Sequence, residues 1–202
     1  MLDGSVDIQH FAVAAVLVGV VARLYFGSVV FHPRYTRVWN ITRRVLVPVL
    51  QQVIYRYLPF SVAIENKSIP EEYVGHVDLD PQTLAKRVDD ERDVEVPLLS
   101  GFKTDWEDRT ESGTFVWYHG PRPWGGLPRW LKHYQVHVTT FTTESGETVV
   151  TAHEEANPYR PDLWTDHLTK GPSHSVEEGV EQAENALEDA GVEWRTEDGI
   201  RA

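Results

Sequence analysis

The chain has 202 residues, enough for one domain of ordinary size with an additional N-terminal segment. Its 31 acidic and 19 basic residues give a formal net charge of −12, which argues against nucleic-acid binding because phosphate contacts need clusters of Lys and Arg. The absence of Cys excludes disulfides, thiolate catalysis and Cys-ligated zinc.

The charge is divided unevenly along the chain. Residues 1–63 hold six Arg, no Lys and two Asp, a net of +4, which leaves −16 for residues 64–202. Few Lys and many acidic residues resemble haloarchaeal composition, since in molar salt the Debye length falls to about 3 Å and self-repulsion is screened. The composition therefore indicates a halophilic archaeon or its virus, and an ordinary acidic mesophilic protein is the alternative.

Residues 1–31 are predicted to form an N-terminal tail and a transmembrane helix. The apolar run from Phe11 to Phe31 has 21 residues, and as a helix it would be about 30 Å long, the thickness of a bilayer's hydrocarbon core. Arg23 lies past the middle of this run and costs at least ~2.5 kcal/mol on insertion scales, which the apolar neighbours can offset. A buried helix of a soluble protein is the alternative.

Residues 32–63 are predicted to form a basic amphipathic helix in the plane of the membrane surface, because apolar residues recur there at three- and four-residue spacing. By the positive-inside rule, the arginines beside the span place the following domain in the cytoplasm. These membrane-surface candidates are Arg34, Arg37, Arg43 and Arg44. A second span over residues 45–64 would instead place the domain outside, and packing of both helices on a soluble domain is a third interpretation.

Residues 64–202 are predicted to form an acidic, soluble α+β domain in which two helices cover one face of a mainly antiparallel sheet. Strand alternation, capping residues and turn residues locate the elements. They are a strand at Tyr73–Leu79, a helix capped by Asp80, a hairpin turning at Glu111–Gly113, a hairpin of Leu131–Thr143 with Thr148–Glu155, and a helix that starts with a Ser175/Glu178 capping box and ends at Gly191.

The loop His119–Trp130, rich in Pro, Gly and Trp, is the candidate site for a protein partner. Rigid loops that present Trp and Arg are frequent binding sites, because these residues dominate binding hot spots. The candidate contact residues are Arg122, Trp124, Arg129 and Trp130. The alternative is that both Trp side chains cover the core.

A group of histidines is the only indication of chemistry. His133 and His137 are four residues apart on a predicted strand, so they share a face. With Ser145-Gly146 as a two-residue turn, His137 would lie opposite Glu154, and His153 would point to the other face. Two His and one carboxylate can hold zinc with an open position, so His133, His137 and Glu154 are metal candidates, and His137 with Glu154 are catalytic candidates. A purely structural cross-strand pair of His137 with Glu154 is the alternative.

The sequence therefore predicts a membrane-anchored, single-pass, non-enzymatic interaction or structural protein that needs no cofactor and has a lipid membrane and a protein as partners. A metal-dependent hydrolase centred on His137 and Glu154 is one alternative, and a soluble halophilic protein with internally packed N-terminal helices is another. No P-loop, G-x-G-x-x-G or G-x-S-x-G motif occurs, so nucleotide use and serine hydrolysis have no support.

Overall fold

The computed structural model describes residues 67–97, 103–119, 132–157, 160–163, 174–196 and 199–201. These residues form an α+β unit in which two helices pack on one face of an antiparallel sheet. The predicted class of the domain is thereby confirmed.

Five strands make up the body of the sheet, and a short sixth strand lies at one edge. They are β1 (Tyr73–Val77), β2 (Glu111–His119), β3 (Tyr134–Thr142), β4 (Thr148–Ala156), β5 (Trp194–Thr196) and β6 (Gly199–Arg201). Their order across the sheet is β2-β3-β4-β1-β5-β6, and all neighbours are antiparallel. β1 therefore lies inside the sheet although it comes first among the strands in the chain.

Both helices begin where their capping residues predict. α1 (Pro81–Asp89) has Asp80 as its N-cap, and the Asp80 side chain accepts two backbone hydrogen bonds from the first turn. α2 (Val176–Asp189) has Ser175 as its N-cap. Its predicted end is confirmed at Gly191, whose φ of +61° is accessible to glycine without a Cβ clash.

Only one of the two hydrogen bonds of the capping box predicted for α2 forms. Ser175 Oγ accepts a hydrogen bond from the Glu178 N–H at 3.2 Å, but the Ser175 N–H donates to the backbone carbonyl of Glu154 at 2.9 Å. The Glu178 side chain instead accepts a hydrogen bond from Gln182. A backbone bridge to β4 therefore replaces the return bond of the box and ties the start of α2 to the sheet.

The apolar core lies between the helices and one face of the sheet. Val136 and Val138 on β3 pair laterally with Trp117 and Phe115 on β2, and all four belong to this core. Full burial of one large apolar side chain contributes about 1.5–3 kcal/mol, so each of these residues stabilises the packing of the helices on the sheet. The helices contribute Leu84, Ala85, Val88, Ala183, Ala186 and Leu187.

The predicted position of the chain reversal before β2 is wrong. The sequence indicated a turn at Glu111–Gly113, but β2 runs through these residues with a register irregularity. The reversal is at Asp105–Arg109, where the buried Asp105 carboxylate accepts a hydrogen bond from the Arg109 N–H at 2.8 Å. The Ser-Gly pair therefore marks a bulge, and a carboxylate that satisfies loop N–H groups makes the turn.

The hairpin of β3 with β4 is confirmed, but its predicted register is wrong. Thr142 pairs with Thr148, and the Thr143 N–H donates to the Glu147 carbonyl at 2.8 Å. The connection is a three-residue loop, Glu144–Gly146, with Gly146 at φ +90°. It is one residue longer than the expected turn, and a slip of one residue changes which side chains face each other.

Several predictions fall outside the described residues. They are the transmembrane helix within residues 1–31, the amphipathic helix at residues 32–63 and the loop residues Arg122, Trp124, Arg129 and Trp130. Arg34, Arg37, Arg43 and Arg44 lie outside as well. Within the part of the chain that the structure describes, no helix is long and apolar enough to cross a membrane.

Gly179 places α2 directly on the backbone of β4. A Cβ atom at this position would lie 2.3 Å from the Cα of His153 and from the backbone nitrogen of Glu154. Since backbone atoms cannot move aside, Gly179→Ala must displace α2 from β4. We expect the free energy of unfolding, measured by chemical denaturation of the full-length chain, to fall by about 1–3 kcal/mol.

The direction of this change is informative, because Gly→Ala at an unhindered helix position raises the free energy of unfolding by up to about 1 kcal/mol. Glu181→Ala, at an exposed position of the same helix, is the matched control and should change stability by less than about 0.5 kcal/mol. A Gly179→Ala variant more stable than the wild type would show that α2 does not approach β4 this closely.

Candidate metal site

The sheet face opposite the helices carries a buried group of histidine, carboxylate and lysine side chains, which we call the histidine cluster. Strand alternation produces it, because residues next to the apolar positions of β3 and β4 point to the other face. Its members are Glu72, Lys103, His137, His153, Glu155 and His174. His137, His153 and Glu72 expose only 7%, 4% and 2% of their surface.

The strands β3 and β4 supply the centre of the cluster. His137 and His153 pair directly across the two strands, with ring centroids 5.2 Å apart. Glu155 lies two residues further along β4 and therefore on the same face. Its Oε1 is 3.4 Å from His137 Nδ1, and its Oε2 is 4.0 Å from His153 Nε2.

Two other segments bring opposite charges to the far side of His153. Glu72 ends the short 3₁₀ turn Pro70–Glu72 before β1, and its Oε1 is 3.2 Å from His153 Nδ1. Lys103 is held beside β2 by a hydrogen bond from the Glu111 N–H to its carbonyl, at 2.9 Å. The Lys103 ammonium lies 3.2 Å from the same His153 Nδ1 and 4.0 Å from Glu72 Oε2.

His174 closes the cluster from the start of α2. It directly precedes Ser175, whose backbone bridges to Glu154 on β4. The His174 ring stacks on the His153 ring, with centroids 5.0 Å apart and an interplanar angle of 26°. Ligating atoms of Glu72, His153 and His174 lie within 4.8 Å of one another, so His153 belongs to two overlapping groups of three.

The contacts determine how two members of the cluster ionise. Burial lowers the pKa of His153, the nearby Lys103 charge lowers it further, and the result is about 4 in spite of the hydrogen bond to Glu72. Burial raises the pKa of Glu72, but the hydrogen bond with His153 and the charge of Lys103 outweigh it and bring the pKa to about 2. At neutral pH, therefore, Glu72 is a carboxylate and His153 is a neutral imidazole.

A hydroxyl group lies against one nitrogen of the His137 ring. Thr114 Oγ1 donates to the Val138 carbonyl at 3.1 Å and lies 2.7 Å from His137 Nε2. When its one hydrogen is given to that carbonyl, Thr114 Oγ1 accepts a hydrogen bond from His137 Nε2–H. The lone pair of the neutral ring is then on Nδ1, the atom that faces Glu155.

The same reasoning applies to His153. The ionised Glu72 can only accept, so it favours a proton on His153 Nδ1 and a lone pair on Nε2. That lone pair faces Glu155 Oε2, while Gln135 Nε2 donates to Glu155 Oε1. Ligating atoms of His137, His153 and Glu155 lie within 4.8 Å of one another. In these tautomers both rings offer a lone pair towards Glu155.

The donor set fits a divalent transition-metal ion of the zinc type. Neutral imidazoles and a carboxylate are ordinary ligands of such ions. The corners of a tetrahedral site lie about 3.3 Å apart, because its bonds are ~2.0–2.2 Å long. One ligating atom from each of His137, His153 and Glu155 lies within 4.8 Å of the other two, so the three side chains must move closer together to hold such an ion.

Of the residues predicted from the sequence, only His137 belongs to the cluster. Glu154 pairs with Val136 and lies on the helix-covered face, where its Oε2 is 2.6 Å from His119 Nε2. The expectations that His137 lies opposite Glu154 and that His153 points away are therefore wrong, because the three-residue loop shifts the register by one residue. His133 lies outside both groups of three, and its Nε2 contacts Arg160 Nη1 at 3.0 Å.

The sequence contained a usable signal for part of the missed site. His153 and Glu155 follow from the correct register of the hairpin, and a three-residue loop with Gly at its last position is a known alternative to the two-residue turn. Glu72, Lys103 and His174 carry no such signal, because three separate segments of the chain bring them to the cluster.

No protein-family model matches the chain, and comparisons with curated proteins and with solved structures return no match. The function is therefore inferred from the geometry of the site itself.

The metal-free protein should lose stability in acid. The pKa of His153 is 6.5 when unfolded and about 4 when folded, so between these values the unfolded chain binds the extra proton and the free energy of unfolding falls as pH falls. Glu72 adds a further loss between its ordinary 4.5 and about 2. We expect the His153 contribution to be on the order of 3 kcal/mol, measured by chemical denaturation with a chelator present.

His153→Gln should flatten the stability profile between pH 6.5 and 4, since it removes the titrating ring. His76→Gln, at a half-buried position on β1 outside the cluster, is the matched control and should keep the slope. An unchanged slope in His153→Gln would show that another group causes the acid sensitivity.

Proposed function

We propose that the domain binds one divalent transition-metal ion through His137 Nδ1, His153 Nε2 and Glu155, and that the N-terminal segment holds this domain at a membrane. The observation that carries the metal assignment is the convergence of two buried histidines and a carboxylate, whose ligating atoms lie within 4.8 Å of one another. A divalent cation between them would bind to all three side chains.

The hydrogen bonds behind the three ligands support this proposal. Ligating histidines usually give their second N–H to a carboxylate or another acceptor, which orients the ring and selects the tautomer. Here Thr114 is placed to take the N–H of His137, and Glu72 is placed to take that of His153. Gln135 orients Glu155. Each proposed ligand therefore has a partner of the expected kind on its outer side.

A metal-dependent hydrolase is the second candidate, now centred on His137, His153 and Glu155 rather than on Glu154. Three protein ligands leave a coordination position for water, which is the arrangement of catalytic zinc sites. Metal-dependent turnover of an activated ester or phosphate ester that Glu155→Gln abolishes would support this candidate. Metal binding without turnover would leave a structural or interaction role.

The membrane location rests on the division of charge and on the apolar run. The net charge of +4 in residues 1–63 and the 21 residues from Phe11 to Phe31 suit an anchor with an arginine-rich flank. The net charge of −16 in residues 64–202 suits a domain in concentrated electrolyte, as in a halophilic archaeon.

A protein partner at the loop His119–Trp130 also remains a proposal. Its Arg and Trp residues are of the kinds that dominate binding hot spots. Trp124→Ala and Arg129→Ala should reduce co-purification of such a partner, and unchanged co-purification with both variants would argue against this loop.

Metal analysis tests the principal proposal directly. We expect the full-length chain, purified in molar salt and loaded with Zn²⁺ or Co²⁺, to retain one ion per chain after desalting. His137→Ala and Glu155→Gln should each weaken binding by about tenfold or more, since each removes a ligand.

Glu154→Gln is the matched control for this measurement. It removes a carboxylate next to Glu155, but from the helix-covered face, so metal retention should stay as in the wild type. If the wild-type chain retains no ion, the metal assignment is wrong. Equal losses in Glu154→Gln and Glu155→Gln would contradict the register of the site.

Fractionation tests the membrane location. The native chain should sediment with membranes, resist extraction by high salt and dissolve in detergent, because an apolar span is held by the bilayer rather than by charge. Protease added outside sealed vesicles should spare the acidic domain if it faces the cytoplasm, and digestion from outside would support the second span at residues 45–64. Release by salt alone would favour the soluble interpretation.

A further inference from the structure

We propose that Lys103 and Glu72 compete for the same nitrogen of His153 and thereby set the metal affinity of the site, Glu72 promoting binding and Lys103 opposing it. Both act as positioning residues, because they determine the tautomer of a ligand rather than touch the ion. This inference rests on the proposed metal site.

The competition follows from identical distances and opposite requirements. Glu72 Oε1 and Lys103 Nζ each lie 3.2 Å from His153 Nδ1. A carboxylate needs a hydrogen on that nitrogen, and an ammonium needs a lone pair on it. One nitrogen cannot offer both, so only one of the two contacts is a hydrogen bond at any time.

The two contacts correspond to an open and a closed form of the site. When His153 Nδ1–H donates to Glu72, the Nε2 lone pair faces Glu155 and is ready for a metal ion. When Nδ1 accepts from Lys103, the proton is on Nε2 and faces Glu155 Oε2, 4.0 Å away. In that form the proton occupies the direction of the metal bond, and Lys103 serves as the cluster's own cation.

The surroundings strengthen the effect of Lys103. Its side chain is only 14% exposed and that of Glu72 only 3%, so water screens the ammonium weakly. Besides favouring the closed tautomer, this charge repels an arriving cation. The ion pair with Glu72, at 4.0 Å, keeps Lys103 in place. Removing Lys103 should therefore tighten metal binding, and removing the charge of Glu72 should weaken it.

The test compares Zn²⁺ affinity in Lys103→Met and Glu72→Gln with that of the wild type, using the full-length chain in competition with a chromophoric chelator. Met retains the length of the lysine stem, and Gln retains the shape of glutamate. We expect an affinity gain of about tenfold for Lys103→Met and a loss of about tenfold for Glu72→Gln, the size known for partners of metal ligands. Lys67→Met, which removes a surface lysine paired with Asp108, is the charge-matched control and should have no effect.

Nitrogen-15 NMR of the His153 imidazole in the metal-free protein measures its tautomer, which general destabilisation would not change. Lys103→Met should shift His153 towards the Nδ1–H tautomer, and Glu72→Gln towards the Nε2–H tautomer. If the wild type binds Zn²⁺ but Lys103→Met leaves affinity and tautomer unchanged, this inference is wrong and the metal site stands. If the wild type, Lys103→Met and the control all fail to bind Zn²⁺, the metal site and the inference are both overturned.

Discussion

The antiparallel pairing of β3 with β4 is the constraint on which the rest of the site depends. Thr142 pairs with Thr148 across a three-residue loop, and this register puts His137 directly opposite His153. The same register puts Glu155 on their face and Glu154 on the face covered by the helices. A connection shorter by one residue would pair His137 with Glu154 and separate the two histidines. The composition of the histidine cluster therefore depends on the length of one turn.

Burial of the histidine cluster strengthens the interactions among its charged and polar side chains. Ionised side chains in a site of low polarity need partners, because desolvation is costly. Glu72 and Lys103 meet this need for each other while sharing His153 between them. The two histidines beside Glu155 each contact a polar group on their outer side, Thr114 at His137 and Glu72 at His153. The metal affinity that we propose for the cluster would depend on the balance of charges around one imidazole.

The helix α2 connects this polar face with the apolar core. Its start is tied to β4 by the backbone bridge of Ser175 with Glu154, which also brings His174 onto His153. One turn later, Gly179 lets the helix rest on the backbone of the same two strand residues. Packing of the core on one side of the sheet therefore positions His174 on the other side, and we expect a displacement of α2 to change both the stability of the domain and the contacts of the histidine cluster.

Local sequence determined the elements, and tertiary structure decided the site. Capping by Asp80 and Ser175, the termination at Gly191 and the alternation of β3 and β4 were readable, because each depends on residues close in the chain. Of the histidine cluster, only His137 was among the site residues predicted from the sequence. The register of the hairpin depended on choosing between two allowed turns, which differ little in local energy. Glu72, Lys103 and His174 meet only after β1 inserts beside β4, so long-range strand order, not local pattern, assembles the cluster. The amino-acid sequence by itself settles the charge division and the fold class; the contacts of the histidine cluster exist only once the sheet has formed, since they join segments that are distant in the chain.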